Sequence, residues 1–301
     1  PHADGGRPGR KAQSALGVTV RLQELRRRAR SLLVSSGAAR PEYSADLILA
    51  SALGLPRAAL LWKDCEVPQD KLARAESMTA RRASGAPLSY VLHEAEFYGY
   101  RFKVGRGVLI PRPETELLVE EALRLFPRGT AARFADWCTG SGCIAAALLL
   151  ENPALSALGV DKSRSALKWA AINRKLHGLE ERFELLRNAE PSLAPVAEGS
   201  LDFIVTNPPY IPRRELDGLM SEVRDYEPRM ALDGGEGGTE LYAKFFAAFP
   251  RMLKPGGLLM AETAGAEQIC SLVDMASREF VLVNKISDYN GIIRHVIWRK
   301  R

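Results

Sequence analysis

Asn207, Pro208, Pro209 and Tyr210 follow the apolar run LDFIV (201–205) and end it abruptly. Two consecutive prolines donate no backbone hydrogen bonds and push the residues before them toward extended conformations, so the segment is a stiff exit from a strand. A planar NH2 group, whether an amide or an exocyclic ring amine, is a poor nucleophile because its lone pair is delocalised, yet it offers two N–H donors. The side-chain oxygen of Asn207 and the carbonyl of Pro208 are placed to accept those two hydrogens, with Tyr210 covering the flat face of the group. Asn-Pro and Pro-Pro are also ordinary turn punctuation, so the tetrapeptide needs support from elsewhere in the chain.

That support is the stretch ADWCTGSGCIAAA (135–147), a glycine-containing turn that closes one apolar run and opens a helix. Asp136 stands at the strand end, and Cys138, Thr139, Gly140, Ser141 and Gly142 form a turn that lets a ligand approach the backbone closely. Asp161 ends the next apolar run, ALGVD, about twenty residues on, where an acidic side chain can accept from both hydroxyls of a ribose. An adenosine-containing cofactor is implied. Gly140, Gly142 and Ala145 also satisfy the dinucleotide pattern G-x-G-x-x-A, so a nicotinamide enzyme stays open, as does a tight turn with no ligand. With a sulfonium methyl as electrophile, catalysis would rest on positioning and on stabilising charge at nitrogen. His93, His177 and His295 are scattered and read as surface or packing residues rather than acid–base groups.

Positioning these residues at one edge requires alternating strands and helices. From Arg133 onward short apolar runs alternate with helical patterns, which predicts a mostly parallel sheet with helices on both faces. FVLVNKI and IIRHVIW lie around SDYNG with no helix between them and predict a terminal antiparallel hairpin. PRPETELLVEEALRLF reads as a helix with Pro113 in its first turn. EFYGYRFKVGRGVLI reads as a short β-hairpin turning at GRG, and apolar spacings of three and four from Val18 to about Gly85 predict a small helical bundle.

The chain of 301 residues is 46% hydrophobic and 26% charged, the composition of a globular protein with room for one large and one small domain. Its longest apolar stretch, IAAALLL (144–150), is too short to cross a bilayer. Cys65, Cys138, Cys143 and Cys270 form no CxxC pair and no cluster with histidine, so neither a metal site nor a disulfide framework is expected. The net charge of +6 is partly local, with Arg21, Arg26, Arg27, Arg28 and Arg30 on one segment that reads as a solvated face or as a dock for an acidic partner. Residues 1–17, rich in Gly and Arg without an apolar core, read as a disordered leader.

NPPYIP, the glycine turn with Asp161, LIPRPETELLVE, EVRDYEPRMALDGGEGGTELY and DYNGIIRHVIWR together resemble the HemK/PrmC family of S-adenosylmethionine-dependent methyltransferases, from about Val18 to the end. The resemblance implies methyl transfer from S-adenosyl-L-methionine to the side-chain amide nitrogen (N5) of the glutamine in the GGQ motif of peptide-chain release factors. It implies a doubly wound, seven-stranded α/β Rossmann-like sheet with an antiparallel C-terminal hairpin. Before it come a helical substrate-binding domain at 18–87 and a β-hairpin linker at 88–111, with the methyltransferase domain at 112–301. Cofactor contacts then fall on Asp136, Cys138, Thr139, Gly140, Ser141, Gly142, Asp161 and Asn207, and the acceptor site on Asn207, Pro208, Pro209 and Tyr210. A release factor is the expected partner, met through its GGQ loop, with no stable nucleic-acid or membrane partner and a monomeric state. The expected compartment is the cytoplasm, or else the mitochondrial matrix.

Two positions depart from the family pattern. Cys138 stands where the first glycine of the turn is usual, and NAEPSLAP (188–195) lacks the usual residue beside the adenine, leaving Asn188 and Glu190 without an assigned role. Arg112 suits either a ligand carboxylate or a structural ion pair. Glu227 and Pro228 read as shaping the substrate pocket, and Asp288, Asn290 and Gly291 as a turn near it. The alternatives are an N6-adenine methyltransferase, which handles the same planar NH2, and a non-catalytic binding protein built on the cofactor fold.

Overall fold

The computed structural model describes residues 20–301, and the leader expected over 1–17 lies outside them. The chain divides into two units, Pro1–Ser84 and Gly85–Arg301. The first contains α1 (Leu22–Ser35), α2 (Pro41–Leu53) and α3 (Gln69–Ala83). Leu22, Leu25, Ala29 and Leu33 recur at helical spacing on α1 and are buried. The arginines of α1 are largely committed inside this unit. Arg26 and Arg30 both converge on the buried Asp46, while Arg27 and Arg28 pair with Glu24 and Arg21 with Asp64. Five guanidinium groups thus share three carboxylates, so their positive charge is compensated locally only in part.

The second unit opens with α4 (Leu88–Leu92), β1 (Glu94–Phe97), β2 (Tyr100–Lys103) and α5 (Glu116–Leu125). The domain break falls at Ser84/Gly85, three residues before the expected limit at 87, and the hairpin expected as a linker is part of this second unit. The hairpin turns at Tyr98-Gly99 and not at GRG. Tyr98 and Gly99 both adopt positive φ, 53° and 74°, the conformation a two-residue turn needs to match strand twist. GRG serves close packing instead: a Cβ at Gly105 would lie 2.5 Å from the Trp169 ring. Asn173 ties the hairpin to the body of the unit, its Oδ1 accepting from Lys103 N at 2.6 Å and its Nδ2 donating to the carbonyls of Lys103 and Ser141.

The remainder alternates as β3 (Ala132–Trp137), α6 (Cys143–Glu151), β4 (Leu155–Asp161), α7 (Arg164–Leu176), β5 (Phe183–Arg187), β6 (Leu201–Thr206), α8 (Ser221–Arg224), α9 (Glu240–Met252), β7 (Leu253–Glu262), α10 (Ala266–Ala276), β8 (Phe280–Ser287) and β9 (Ile293–Lys300). These strands form one seven-stranded sheet in the order β5-β4-β3-β6-β7-β9-β8. The first five in that order run parallel, and β9 pairs antiparallel with both β7 and β8, as the sequence predicts for the terminal hairpin.

Consecutive strand residues explain why the sheet is covered on both faces. Phe134 and Phe203 enter one core with the α6 residues Ile144 to Leu149, whereas Ala135, Trp137 and Ile204 enter the other with Phe245 and Phe249 of α9. Phe134 and Phe203 stack at 4.7 Å and Phe245 and Phe249 at 4.4 Å, so each core is anchored by an aromatic pair. Parallel strands buried on both sides need apolar residues at successive positions, which is why RFADW and LDFIV read as runs.

Candidate active site

Strand order reverses around β3, which has β4 on one side and β6 on the other, and such a switch point opens a crevice at the carboxyl ends of the strands. Cys138 after β3, Asp161 of β4, Asn188 after β5, Asn207 after β6 and Glu262 of β7 therefore come to one edge. A cleft of about 960 Å³, counting its open mouth, lies there; Thr139, Gly140, Asp161, Asn188, Asn207 and Pro209 are among its lining residues.

The turn after β3 carries three left-handed residues, Cys138, Gly140 and Gly142, with φ of 62°, 56° and 79°. Cys138 holds this conformation despite its Cβ, at a cost of roughly 1–2 kcal/mol that surrounding contacts must offset. Burial, reinforced by the carboxyls of Asp161 and Asp136, pushes its thiol well above the usual range, so it stays a neutral packing group. Asp161 locks the turn in place: Gly140 N donates to Oδ2 at 3.0 Å and Ser163 N to Oδ1 at 2.8 Å. Each oxygen keeps lone pairs for a further donor. Burial raises the Asp161 pKa, opposed by those backbone hydrogen bonds.

Asp136 and Gly142 do not line the cleft. Asp136 is fully buried beneath the turn, where its Oδ2 accepts from Thr139 Oγ1 at 2.7 Å and from Ala145 N at 3.3 Å while Oδ1 has no partner. Burial pushes its carboxyl up to about 7. Because the folded form binds this proton more tightly than the unfolded chain, Asp136 favours folding fully below about pH 4, and that contribution is lost as pH rises toward 7. Asp136→Asn is expected to flatten the fall in melting temperature between pH 4 and 7. Thermal melts of both proteins across that window check it, and parallel curves would contradict it.

Asn207 leaves β6 half-buried, with Pro208 and Pro209 buried behind it. Its Nδ2 donates to Thr115 Oγ1 at 3.1 Å; Thr115 in turn donates to Glu262 Oε2 at 2.6 Å, and the Tyr210 hydroxyl donates to Glu262 Oε1 at 3.2 Å. Burial and the Glu262 carboxylate raise the Tyr210 pKa far above its ordinary value, which keeps the phenol protonated. Neither Pro208 nor Tyr210 lines the main cleft; Tyr210 faces an adjoining groove that also includes Arg214 and Arg294.

The glycine-rich stretch DGGEGG (233–238) holds the tetrapeptide from outside. Ile211 N donates to Leu232 O and Gly234 N to Ile211 O, while Gln268 Nε2 donates to both Tyr210 O and Gly238 O. Gly238 has φ +74°, and a Cβ there would sit 2.3 Å from the Tyr210 carbonyl oxygen. Gly238→Ala is expected to cost about 3 kcal/mol of stability through backbone strain and the clash together, and to disturb Tyr210. A shift in urea midpoint with loss of activity would register this; a neutral substitution would show the contact to be dispensable.

Arg112, on the wall of the cleft, makes an ion pair. Its Nη2 donates to Glu227 Oε1 at 2.5 Å, and the other oxygen of Glu227 accepts from Ile110 N at 3.0 Å. This joins the IPRPE segment to the YEP segment, whose Pro228 lines the cleft. Asp288 caps the β8–β9 turn, accepting from the backbone N–H groups of Asn290 and Ile292. His177 packs on Phe102 and His93 is exposed, but His295 is fully buried, 3.5 Å from Glu262. The sequence by itself does not single out Thr115, Glu262, Gln268 and His295 as site residues. Only the glycine cluster and the acidic end of LLMAE hint at them. Among the described residues there is no cluster able to hold a metal ion and no helix long and apolar enough to cross a membrane.

Residues 24–92 match the PrmC N-terminal domain family and residues 113–222 the methyltransferase small domain. The release factor glutamine methyltransferase of Nitratidesulfovibrio vulgaris is 40% identical over 283 residues, covering 93% of this chain and 95% of the relative. That of Geobacter sulfurreducens is 40% identical over 269 residues, covering 89% and 92%. The chain belongs to the release factor glutamine methyltransferase family. The catalytic domain of hMettl16, solved with the MAT2A 3'UTR hairpin 6, shares the fold at a TM-score of 0.55 and 14% identity, covering 78% of this chain and 84% of that one.

Like the rest of this methyltransferase family, the protein uses S-adenosylmethionine, and its cleft suits that molecule. Asp161 lines the cleft with each oxygen engaged by one backbone N–H and able to accept again, and Asn188 Oδ1 is buried without a hydrogen-bond partner on the cleft wall. A buried acceptor of this kind is costly unless a donor meets it. The nicotinamide reading is set aside by the family assignment.

Proposed function

We propose that the protein transfers a methyl group from S-adenosylmethionine to the amide nitrogen of the glutamine in the GGQ loop of a peptide-chain release factor. The observation that carries this reading is the juxtaposition of Asn207 with the Asp161-locked turn in one cleft. Asp161 would receive the ribose hydroxyls and Asn188 Oδ1 the adenine amine, with Cys138 to Gly142 cradling the methionine portion and Asp136 holding that turn from beneath. When bound, the cofactor supplies a sulfonium methyl whose S–C electron pair leaves on sulfur, giving a thioether, as the acceptor nitrogen bonds to carbon.

The residues of the chain act by positioning. Asn207 Oδ1 and the Pro208 carbonyl accept the two N–H groups of the glutamine amide and aim its nitrogen, and both acceptors favour the positive charge that grows there. Pro209 stiffens the segment, and Tyr210, kept as a neutral phenol at the adjoining groove, is the side chain proposed to cover the amide face. The nitrogen sheds one proton to water, so no strong base is required. The release factor is a protein partner met in the compartment where translation terminates, and the chain acts as a monomer without a nucleic-acid partner.

Mass spectrometry of purified release factor, and separately of adenine-containing DNA and RNA, each incubated with enzyme and S-adenosylmethionine, tests this. One added methyl on the GGQ glutamine is expected. Methyl-adenine with an unmodified release factor would overturn the reading.

A further inference from the structure

An asparagine that must present its oxygen to an acceptor amide faces a problem of polarity, because turning the side chain by 180° about Cβ–Cγ exchanges Oδ1 for Nδ2 at nearly no steric cost. With Nδ2 inward, two donors would confront the N–H groups of the substrate. Something outside Asn207 has to choose between the two states.

We infer that Glu262, acting through Thr115, is the positioning residue that sets the amide orientation of Asn207. The inference rests on the acceptor role proposed for Asn207 above. Glu262 ends β7 at the carboxyl edge, is 2% exposed, and as a carboxylate offers acceptors only. Its Oε2 takes the Thr115 hydroxyl proton at 2.6 Å. With that proton committed, Thr115 Oγ1, itself 2% exposed, can only accept from Asn207, and the 3.1 Å contact is with Nδ2. Oδ1 is left pointing away from Thr115. The flipped state would set Oδ1 against the lone pairs of Thr115 and leave a buried hydroxyl oxygen without its donor.

The same carboxylate governs the other side of the acceptor site, since Oε1 receives the Tyr210 hydroxyl. Glu262 is in turn held from behind. Its backbone carbonyl accepts from the buried Tyr242 hydroxyl, and His295 on β9 lies 3.5 Å from Oε2. One side chain 147 residues from Thr115 in sequence thus orders both groups that would flank the glutamine amide.

Glu262→Gln tests the direction of the relay because it preserves shape but adds a donor. An amide accepts at one end only, so glutamine must turn its NH2 toward one of the two hydroxyls that Glu262 now accepts: toward Thr115 it frees that hydroxyl to donate to Asn207 and reverses the network, and toward Tyr210 it displaces the phenol on the other side. Single-turnover methylation of purified release factor at saturating S-adenosylmethionine is expected to slow about 100-fold in Glu262→Gln and in Thr115→Val, the scale of a misplaced reacting group. Thr115→Ser should restore the rate, cofactor affinity by calorimetry should be unchanged, and in an Asn207→Ala background Thr115→Val should add nothing, since it acts through the missing amide. Additive losses, equal loss of cofactor affinity, or failure of serine to rescue would overturn the proposal.

Should the unaltered enzyme leave release factor unmodified, the function reading fails, and the network is judged by NMR of the Asn207 side-chain NH2 group. A slowly exchanging, hydrogen-bonded proton that disappears in Thr115→Val and persists in Thr115→Ser upholds it. Signals indifferent to both substitutions refute it.

Discussion

Asn207→Ala is expected to lower turnover about 1000-fold while leaving the affinity for S-adenosylmethionine within about threefold, because the lost interaction is one that strengthens as charge develops on the acceptor nitrogen. The geometry separates the two effects. Asn207 follows β6, whereas the turn that cradles the cofactor follows β3 and is locked by Asp161 of β4, so truncating the amide leaves Gly140, Ser163 and Asp161 in their hydrogen bonds. Alanine removes an acceptor without adding bulk, and the prolines that follow still hold the backbone in its extended exit. Calorimetry for affinity and single-turnover kinetics for rate make the comparison. Equal loss of both would mean that Asn207 chiefly supports the cofactor.

Asp161→Asn should show the opposite division, with cofactor affinity falling about 100-fold, equivalent to about 3 kcal/mol, and turnover at saturation much less affected. Two effects combine at this position. The substitution replaces one acceptor oxygen by an NH2 group, which must face either Gly140 N–H at 3.0 Å or Ser163 N–H at 2.8 Å, donor against donor. It also removes half of the acceptor pair proposed for the ribose and the charge that strengthens those bonds. Since Gly140 N–H is part of the turn itself, the turn loosens as well as the ribose site. Titration calorimetry of both proteins is decisive: an Asp161→Asn protein that binds S-adenosylmethionine normally would remove Asp161 from the cofactor site. Performed beside Asn207→Ala, the experiment assigns binding to one strand end and chemistry to the other.

Much of this was legible in the chain because it is local. Apolar residues at successive positions in RFADW and LDFIV report strands buried on two faces, and spacings of three and four report helices, since both follow from backbone geometry within a few residues. The acidic end of ALGVD and the turn CTGSG are likewise adjacent to the strands that carry them. The missing helix between FVLVNKI and IIRHVIW announced the antiparallel pair, which the structure forms as β8 and β9.

The hairpin turn went to Tyr98-Gly99 because Gly105 and Gly107 were needed against α7, where a Cβ would strike Trp169 or Ser165. A glycine pair does not say in its own letters whether it serves a turn or a close approach. By itself, then, the sequence determined the order of elements, the paired carboxylate and glycine turn, and the stiff NPPY exit. Tertiary structure alone decided which distant side chains complete them: Glu227 on Arg112, Gln268 and Gly238 on Tyr210, and Glu262 on Thr115 and Tyr210. The reason is physical. Periodicity records which face of an element is buried, but hydrogen-bond partners are chosen by strand order, and here that order brings the ends of β6 and β7 together only after the chain has passed through α8 and α9.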